Sequence, residues 1–298
     1  MEKDIDDFLK YLKEQKNYSP LTINGYKEDL IFLKNYFSKE NISYLNIEYS
    51  DIRLFYNYLD SFNYSKNTIS NKISAARSFY KYLARNNKIK SNPFTLASLP
   101  KKDNLLPKFL YYNELEEMFN ACDDSYLGIR NRCILELLYA TGMRVRELVN
   151  IKLKDIDPTE KYIKILGKGN KERIVYFGDY AKEYLEIYLN NSRNYLLKNK
   201  SCDYLFINNI GTKLSTRGVE LVVKKVIKDT SIKTNITPHT IRHTFATHLL
   251  NEGCDILSVQ ELLGHESLRA TQVYTHITNE GLRNIYNNSH PRNNKSIK

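Results

Sequence analysis

The string TPHTIRHTFATH, residues 237–248, holds the densest chemistry in the chain. His239 and Arg242 lie three apart, so on a helix they share a face. Thr237-Pro238 is a helix-start signal, which puts both residues at an N-terminus, where backbone N–H groups and the helix dipole already favour an anion such as phosphate. A metal reading would pair His239 with His243, but the zinc motif needs Glu where Thr240 stands, and Arg242 would repel a cation. Taken alone, a His and an Arg so placed are more often ordinary helix-end residues than a phosphate site. Gly167-Lys168-Gly169-Asn170 is too short between its glycines, and lacks the G-K-[ST] ending, to be a nucleotide phosphate loop.

The elements that must position these residues are mostly helical. Ser19-Pro20 precedes a periodic run through Tyr26, Leu30 and Leu33, and Ser50 precedes Ile52, Phe55, Tyr56 and Leu59. Ser65 opens a helix with Ile69, Ile73, Ala76, Tyr80 and Leu83 on one side. Asn113 starts another, and the apolar run Cys133 to Ala140 stops at Thr141-Gly142, with Gly as a C-terminal cap. Tyr162–Leu166 and Arg173–Phe177 are short β-rich runs flanking Gly167 to Asn170, a hairpin pattern. Thr237 caps a helix ending near Gly253, Asp255 starts one ending at Gly264, and Ser267 starts a third. The Asn/Lys-rich tail after Asn287 has a disordered composition. The expected class is therefore mainly α, with one small antiparallel sheet in the second half.

Lys and Arg number 45 against 34 Asp and Glu, a formal net charge of +11, which favours a polyanionic partner. The distribution sharpens this. Between Asp60 and Asp103 no acid occurs, while Lys66, Lys72, Arg77, Lys81, Arg85 and Lys88 all do. Arg77, Lys81, Arg85 and Lys88 recur at spacings of four, four and three, a one-sign stripe suited to a phosphate backbone; a solvated basic face is the plainer alternative. Residues 91–108, rich in Pro, Lys and small polar residues, are expected to be a linker between an N-terminal helical DNA-binding domain, 1–90, and a second domain, 109–298. The four cysteines, Cys122, Cys133, Cys202 and Cys254, are too dispersed for a zinc ribbon or a disulfide framework. The acidic start, MEKDIDDFLK, is unlike a signal peptide, and no apolar run could span a bilayer, so a cytoplasmic location is expected.

Four strings occur in order: ATGMRVREL, GKGNKER, HTIRHTFATHLL and LLGHESLRATQVYTH. Together they resemble the signature of the tyrosine recombinases, the phage integrase-like family, and most closely its Xer-type members, which resolve chromosome dimers. The likeness extends through NPF and LPK in the linker to the final HPR. It implies a SAM-like core-binding domain followed by the catalytic domain, with Arg144, Lys168, His239, Arg242 and His265 around a DNA phosphate and Tyr274 as nucleophile. Singly, each has a plainer reading: Arg144 as a charge beside a helix end, Lys168 as a turn residue, His265 as a polar residue after a cap, Tyr274 as a packed aromatic. Glu147, three after Arg144, could orient its guanidinium or pair with Arg146 or Lys154. His243 and His248 are structural in this reading.

The resemblance also implies cleavage and rejoining through a 3′-phosphotyrosine with no metal, ATP or other cofactor. Its partners would be a double-stranded recombination site, a homo- or hetero-tetramer with a related recombinase on DNA, and a DNA translocase as activator, with no membrane. The alternatives are an integrase or transposase of a mobile element and a non-catalytic architectural DNA-binding protein. Leu282, Ile285 and Tyr286, at i, i+3 and i+4, form an apolar face that must dock, on its own domain or, as the resemblance implies, on a neighbouring protomer.

Overall fold

The computed structural model describes residues 1–100, 108–167, 172–264 and 278–293. It divides into two compact units, Met1–Leu105 and Leu106–Lys298. Lys168, His265, Tyr274 and the helix expected from Ser267 fall outside the described residues.

The first unit packs α1 (Glu2–Glu14), α2 (Pro20–Lys39), α3 (Tyr49–Asp60) and α4 (Lys66–Arg85). Ser19 and Ser65 cap α2 and α4, each side chain accepting from the backbone N–H three residues on, at 3.2 Å in both cases. Helix α3 starts earlier than Ser50 suggests. Glu48 is its cap, because Asp51 reaches back to accept the Glu48 N–H at 2.9 Å. Phe8, Leu30, Leu33, Phe55, Ile73, Phe79 and Leu83 fill the interior. The expected linker is partly structured: Pro93–Leu96 form a short 3-10 turn and Phe94 is fully buried in this unit. Its composition hid one large aromatic whose burial outweighs the cost of ordering the turn.

In the second unit, α6 (Tyr126–Thr141) is buried on nearly every side, the position expected of a helix without a polar face. Around it lie α5 (Tyr112–Asn120), α8 (Asp179–Ile187), α10 (Thr216–Lys228) and α11 (Pro238–Asn251), with the short α7 (Val145–Leu148) and α9 (Asn194–Leu197), α12 (Ile256–Leu263) and α13 (Asn279–Ser289). The hairpin of β2 (Tyr162–Leu166) and β3 (Glu172–Tyr176) is antiparallel, with Ile163 opposite Val175 and Ile165 opposite Arg173. A two-residue strand, β1 (Ile156–Asp157), adds to β2 and completes a sheet in the order β1-β2-β3. It is too short to carry an alternation that sequence could display. No helix among the described residues is long and apolar enough to cross a membrane.

The tail departs from the expected disorder. Helix α13 runs to Ser289, and His290, Arg292 and Asn293 beyond it are buried rather than disordered. Arg292 lies between Glu116 and Glu136, 2.7 Å from the latter, over the Tyr180 ring at 3.9 Å and the Phe119 ring at 4.7 Å. The Asn293 carbonyl accepts the Asp179 N–H at 2.8 Å. Of the two dockings left open for the apolar face of α13, this chain shows the one on its own unit: Leu282 and Ile285 pack on that unit's core and Tyr286 is fully buried there. The cause is the chain beyond it: with His290 stacked on Tyr286 at 4.9 Å and Arg292 paired, the helix is pinned at its far end.

Arg292→Ala should therefore destabilise the second unit by about 3 kcal/mol, because Glu136 would remain buried with Arg132 as its sole cationic partner. Urea denaturation measures this, and a change below about 0.5 kcal/mol, the usual range for surface substitutions, would return the tail to the surface.

Candidate active site

Helix α11 presents the site. Thr237 caps it, accepting the Thr240 N–H at 3.2 Å, and Pro238 fills the first turn, where its missing N–H costs nothing. His239 is exposed at this N-terminus and lines a cleft of about 290 Å³ with Val145, Arg217, Lys224 and Thr237. One turn on, Arg242 is buried. Its guanidinium donates to the carbonyl of Gly142 at 2.6 Å and of Leu263 at 2.8 Å. These are the ends of α6 and α12, where carbonyls lack helical partners, so one side chain satisfies two helix C-termini. Each bond uses one N–H of its nitrogen, and the guanidinium keeps others.

Gly142 adopts a left-handed conformation, φ +57°, and a Cβ there would stand 2.4 Å from the Phe245 ring. Only glycine serves, and the turn it makes delivers Arg144 two residues later. Arg144 is the cap residue of α7, and its side chain is 42% exposed. Glu147 is buried beneath it. The carboxylate accepts the Arg144 backbone N–H at 2.6 Å and Arg144 Nη1 at 3.1 Å, then two parallel bonds from Arg173 on β3, at 2.7 and 3.0 Å. Of the two pairings left open in the sequence, the orienting one forms.

Arg173 is a residue that sequence reasoning passed over, treating it as the edge of a strand. Its only signal was position, two residues into the strand that follows the Gly167 to Asn170 segment.

Two guanidiniums thus bond one carboxylate, and the charge of a third, Arg242, bears on the same cluster. Burial, and then the positive charges of Arg144 and Arg173 only partly offset by Glu147, push Arg242 down to about 10, so it still carries its charge at neutral pH. For Glu147, burial favours the neutral acid, yet the Arg173 hydrogen bonds, the Arg144 N–H and both charges outweigh it and hold the carboxyl below its ordinary range. The arrangement carries surplus positive charge in fixed orientation, with Arg144 accessible: a receptor for an oxyanion. The structure brings Arg144, Arg242 and His239 to neighbouring segments of this unit. His248 stands apart, buried with its Nδ1 2.8 Å from the Tyr139 hydroxyl and its ring 4.1 Å from Tyr112. It is a core histidine, as expected.

The basic stripe of the first unit needs correction. At 3.6 residues per turn, Lys66, Arg77, Lys81 and Arg85 fall within about 100° of one another on α4, but Lys72 points to the opposite side. There it pairs with Asp29 at 3.0 Å and lies over the Phe32 ring at 4.2 Å. Lys88 lies past the end of α4 and pairs with Asp4. Arg77 donates to the carbonyls of Phe94 and Ala97, tying down the turn that buries Phe94. The local sequence is free of acids, but acids from α1 and α2 reach it through tertiary packing. Lys81 and Arg85 are exposed on the face that remains.

Residues 5–87 match the family model described as phage integrase, N-terminal SAM-like domain, and residues 108–280 match that of the phage integrase family. The chain is 47% identical to a tyrosine recombinase XerC of Bacillus licheniformis over 292 residues, spanning 97% of this chain and 96% of the relative. It is 48% identical to a tyrosine recombinase XerC of Anoxybacillus flavithermus, spanning 96% of each. Among solved structures, it superposes on the XerH site-specific recombinase bound to difH substrate in a pre-cleavage complex, with a TM-score of 0.69 and 28% identity, covering 91% of this chain and 82% of that one.

If Lys81 and Arg85 contact phosphates, replacing both with Gln should weaken DNA binding on all sequences and shallow the salt slope by roughly 0.9 per lost contact. Lys72→Gln should leave the slope unchanged and lower the thermal midpoint instead. Filter binding across a salt series separates the two, and an unchanged slope in the double variant would return Lys81 and Arg85 to solvent.

Proposed function

The chain belongs to the phage integrase family and is a site-specific tyrosine recombinase that cleaves and rejoins DNA, and from that premise we propose how its residues carry the reaction and on what DNA it acts. The observation that carries the reading is the surplus of guanidinium over carboxylate at Arg144, Arg173, Arg242 and Glu147, one helical turn from His239.

Attack on a phosphodiester builds charge on the oxygens that neither enter nor leave. Arg144 and Arg242 clamp those oxygens with donors that do not lose their charge, and preorganisation by Glu147 and by the two helix ends removes the need to reorient during the reaction. Tyr274 supplies the nucleophilic oxygen. A phenol is a weak nucleophile near neutral pH, so its proton must leave as it attacks, and His239, exposed at the N-terminus of α11, is the base. The new bond joins the tyrosine oxygen to phosphorus, the bond to the 5′-oxygen breaks, and Lys168 gives the departing oxygen its proton. His265 adds a hydrogen bond to a non-bridging oxygen. A 5′-hydroxyl from the exchanged strand reverses the step, restoring the phosphodiester and freeing Tyr274, so no bond energy is lost and no external energy source enters the balance.

The DNA is a chromosomal dimer-resolution site, and the role is chromosome segregation in the cytoplasm, with four protomers assembled on two sites. Near-half identity over nearly all of both chains to tyrosine recombinases XerC supports this above a mobile-element role.

Tyr274→Phe should abolish the covalent protein–DNA adduct on a nicked dimer-resolution site while leaving affinity nearly unchanged, since one oxygen alone is lost. An adduct persisting in that variant, seen on a denaturing gel, would sink the assignment. Lys168→Ala should slow cleavage of ordinary DNA but recover on a substrate whose 5′-bridging oxygen is sulfur, which leaves without a proton. Equal recovery of Arg144→Ala on that substrate would show that Lys168 is not the specific acid.

A further inference from the structure

Glu147 is held from two sides, and the two holds differ in kind. Arg144 gives it one side-chain bond and keeps much of its own guanidinium exposed. Arg173, with its side chain 18% exposed, gives it a parallel pair, the fork geometry that fixes a carboxylate's plane as well as its position. Behind Arg173 stands Gly264, the left-handed cap of α12, φ +65°. A Cβ at that glycine would lie 2.8 Å from Arg173 Nε and 2.9 Å from its Cδ and Cζ, so the backbone closes directly on the guanidinium. Nε itself is buried and has no hydrogen-bond partner among the described residues. Arg173 is thus packed between the Gly264 backbone and the Glu147 carboxylate.

We propose that Arg173 is a positioning residue for strand cleavage, acting through Glu147 to hold the Arg144 guanidinium where the phosphate arrives, without touching DNA itself. The inference rests on Arg144 and Arg242 being the phosphate clamp. It also ties the clamp to the β2–β3 hairpin, since Arg173 stands opposite Ile165, in the second strand pair counted from the turn.

The pH dependence follows from the groups that face Glu147. Arg144 and Arg173 touch it, Arg242 bears on the same cluster, and Asp155, Lys164 and Glu172 line the small cavity on its other side. With Arg173 removed, burial is less opposed, so the Glu147 carboxyl titrates higher and is less ionised at a given pH. The rate lost should therefore be greatest at low pH and partly regained as pH rises.

The test is single-turnover adduct formation by the full chain on a nicked duplex carrying the recombination site, alongside DNA affinity by filter binding. Arg173→Gln is expected to slow the adduct step by about 100-fold, the cost of a misplaced catalytic group, to hold affinity within about threefold, and to move the acid limb of the rate profile to higher pH. Adding Arg173→Gln to Glu147→Gln should cost little more than Glu147→Gln alone, as expected of residues acting in series. If circular dichroism shows Arg173→Gln to be unfolded, Arg173→Lys is measured in its place. It keeps the charge, loses the paired donors, and should fall between wild type and Glu147→Gln. An unmoved acid limb, additive losses in the double variant, or a rate that falls only in step with affinity would overturn the proposal. Arg144→Ala and Arg242→Ala are the reference: if both still form adduct at the wild-type rate, the clamp reading itself has failed, whereas if both are dead and the Arg173 variants are unimpaired, only the positioning role has.

Discussion

The second unit's reactive face is organised by the bonds of one buried guanidinium to two helix ends. Arg242 reaches from α11 to the carbonyls of Gly142 and Leu263, where α6 and α12 terminate. Those carbonyls have no helical partner, and burying them unsatisfied would cost on the order of 1–3 kcal/mol each. Since Arg144 follows Gly142 by two residues, the bonds that satisfy the helix ends also fix where the accessible arginine stands. The residue proposed to clamp phosphate is therefore the same one that joins two helix ends, and a substitution at Arg242 would remove both roles together.

Electrostatic imbalance follows from this assembly. Arg144 and Arg173 pair with Glu147, Arg242 feels the charge of all three, and burial adds to the cost of the arginines' mutual repulsion. A protein selected for stability alone would gain by replacing such a cluster with apolar residues. Its retention makes sense if an arriving phosphate completes the charge balance. The opposite design holds the tail: Arg292 meets Glu116 and Glu136, and Glu136 also meets Arg132. There the charges are matched within the chain, burial pushes the Glu136 carboxyl up despite its two guanidiniums, and the result is an anchor with no ligand to receive.

Much of the architecture was legible in the sequence because its determinants are local. Ser19, Ser65, Thr237 and Asp255 cap helices through backbone groups within a few residues, and Gly142 and Gly264 end them by accepting left-handed backbone that other residues resist. The shared face of His239 and Arg242 needs only the helical repeat. What sequence could not display depends on packing between elements. Asp29 and Asp4 neutralise Lys72 and Lys88 from 43 and 84 residues away, so a stretch without acids is not a surface without acids. Arg173 and Glu147 lie 26 residues apart and meet because the hairpin folds against α7. The tail's composition indicated disorder, but Arg292 finds Glu136 across 156 residues and binds there. Periodicity and caps are set by the backbone geometry of a few neighbouring residues, and the sequence alone determined them. Which charges pair, and which remain for a ligand, is decided only by the three-dimensional arrangement of elements, because Coulomb energy and hydrogen bonding depend on distance in space and not along the chain.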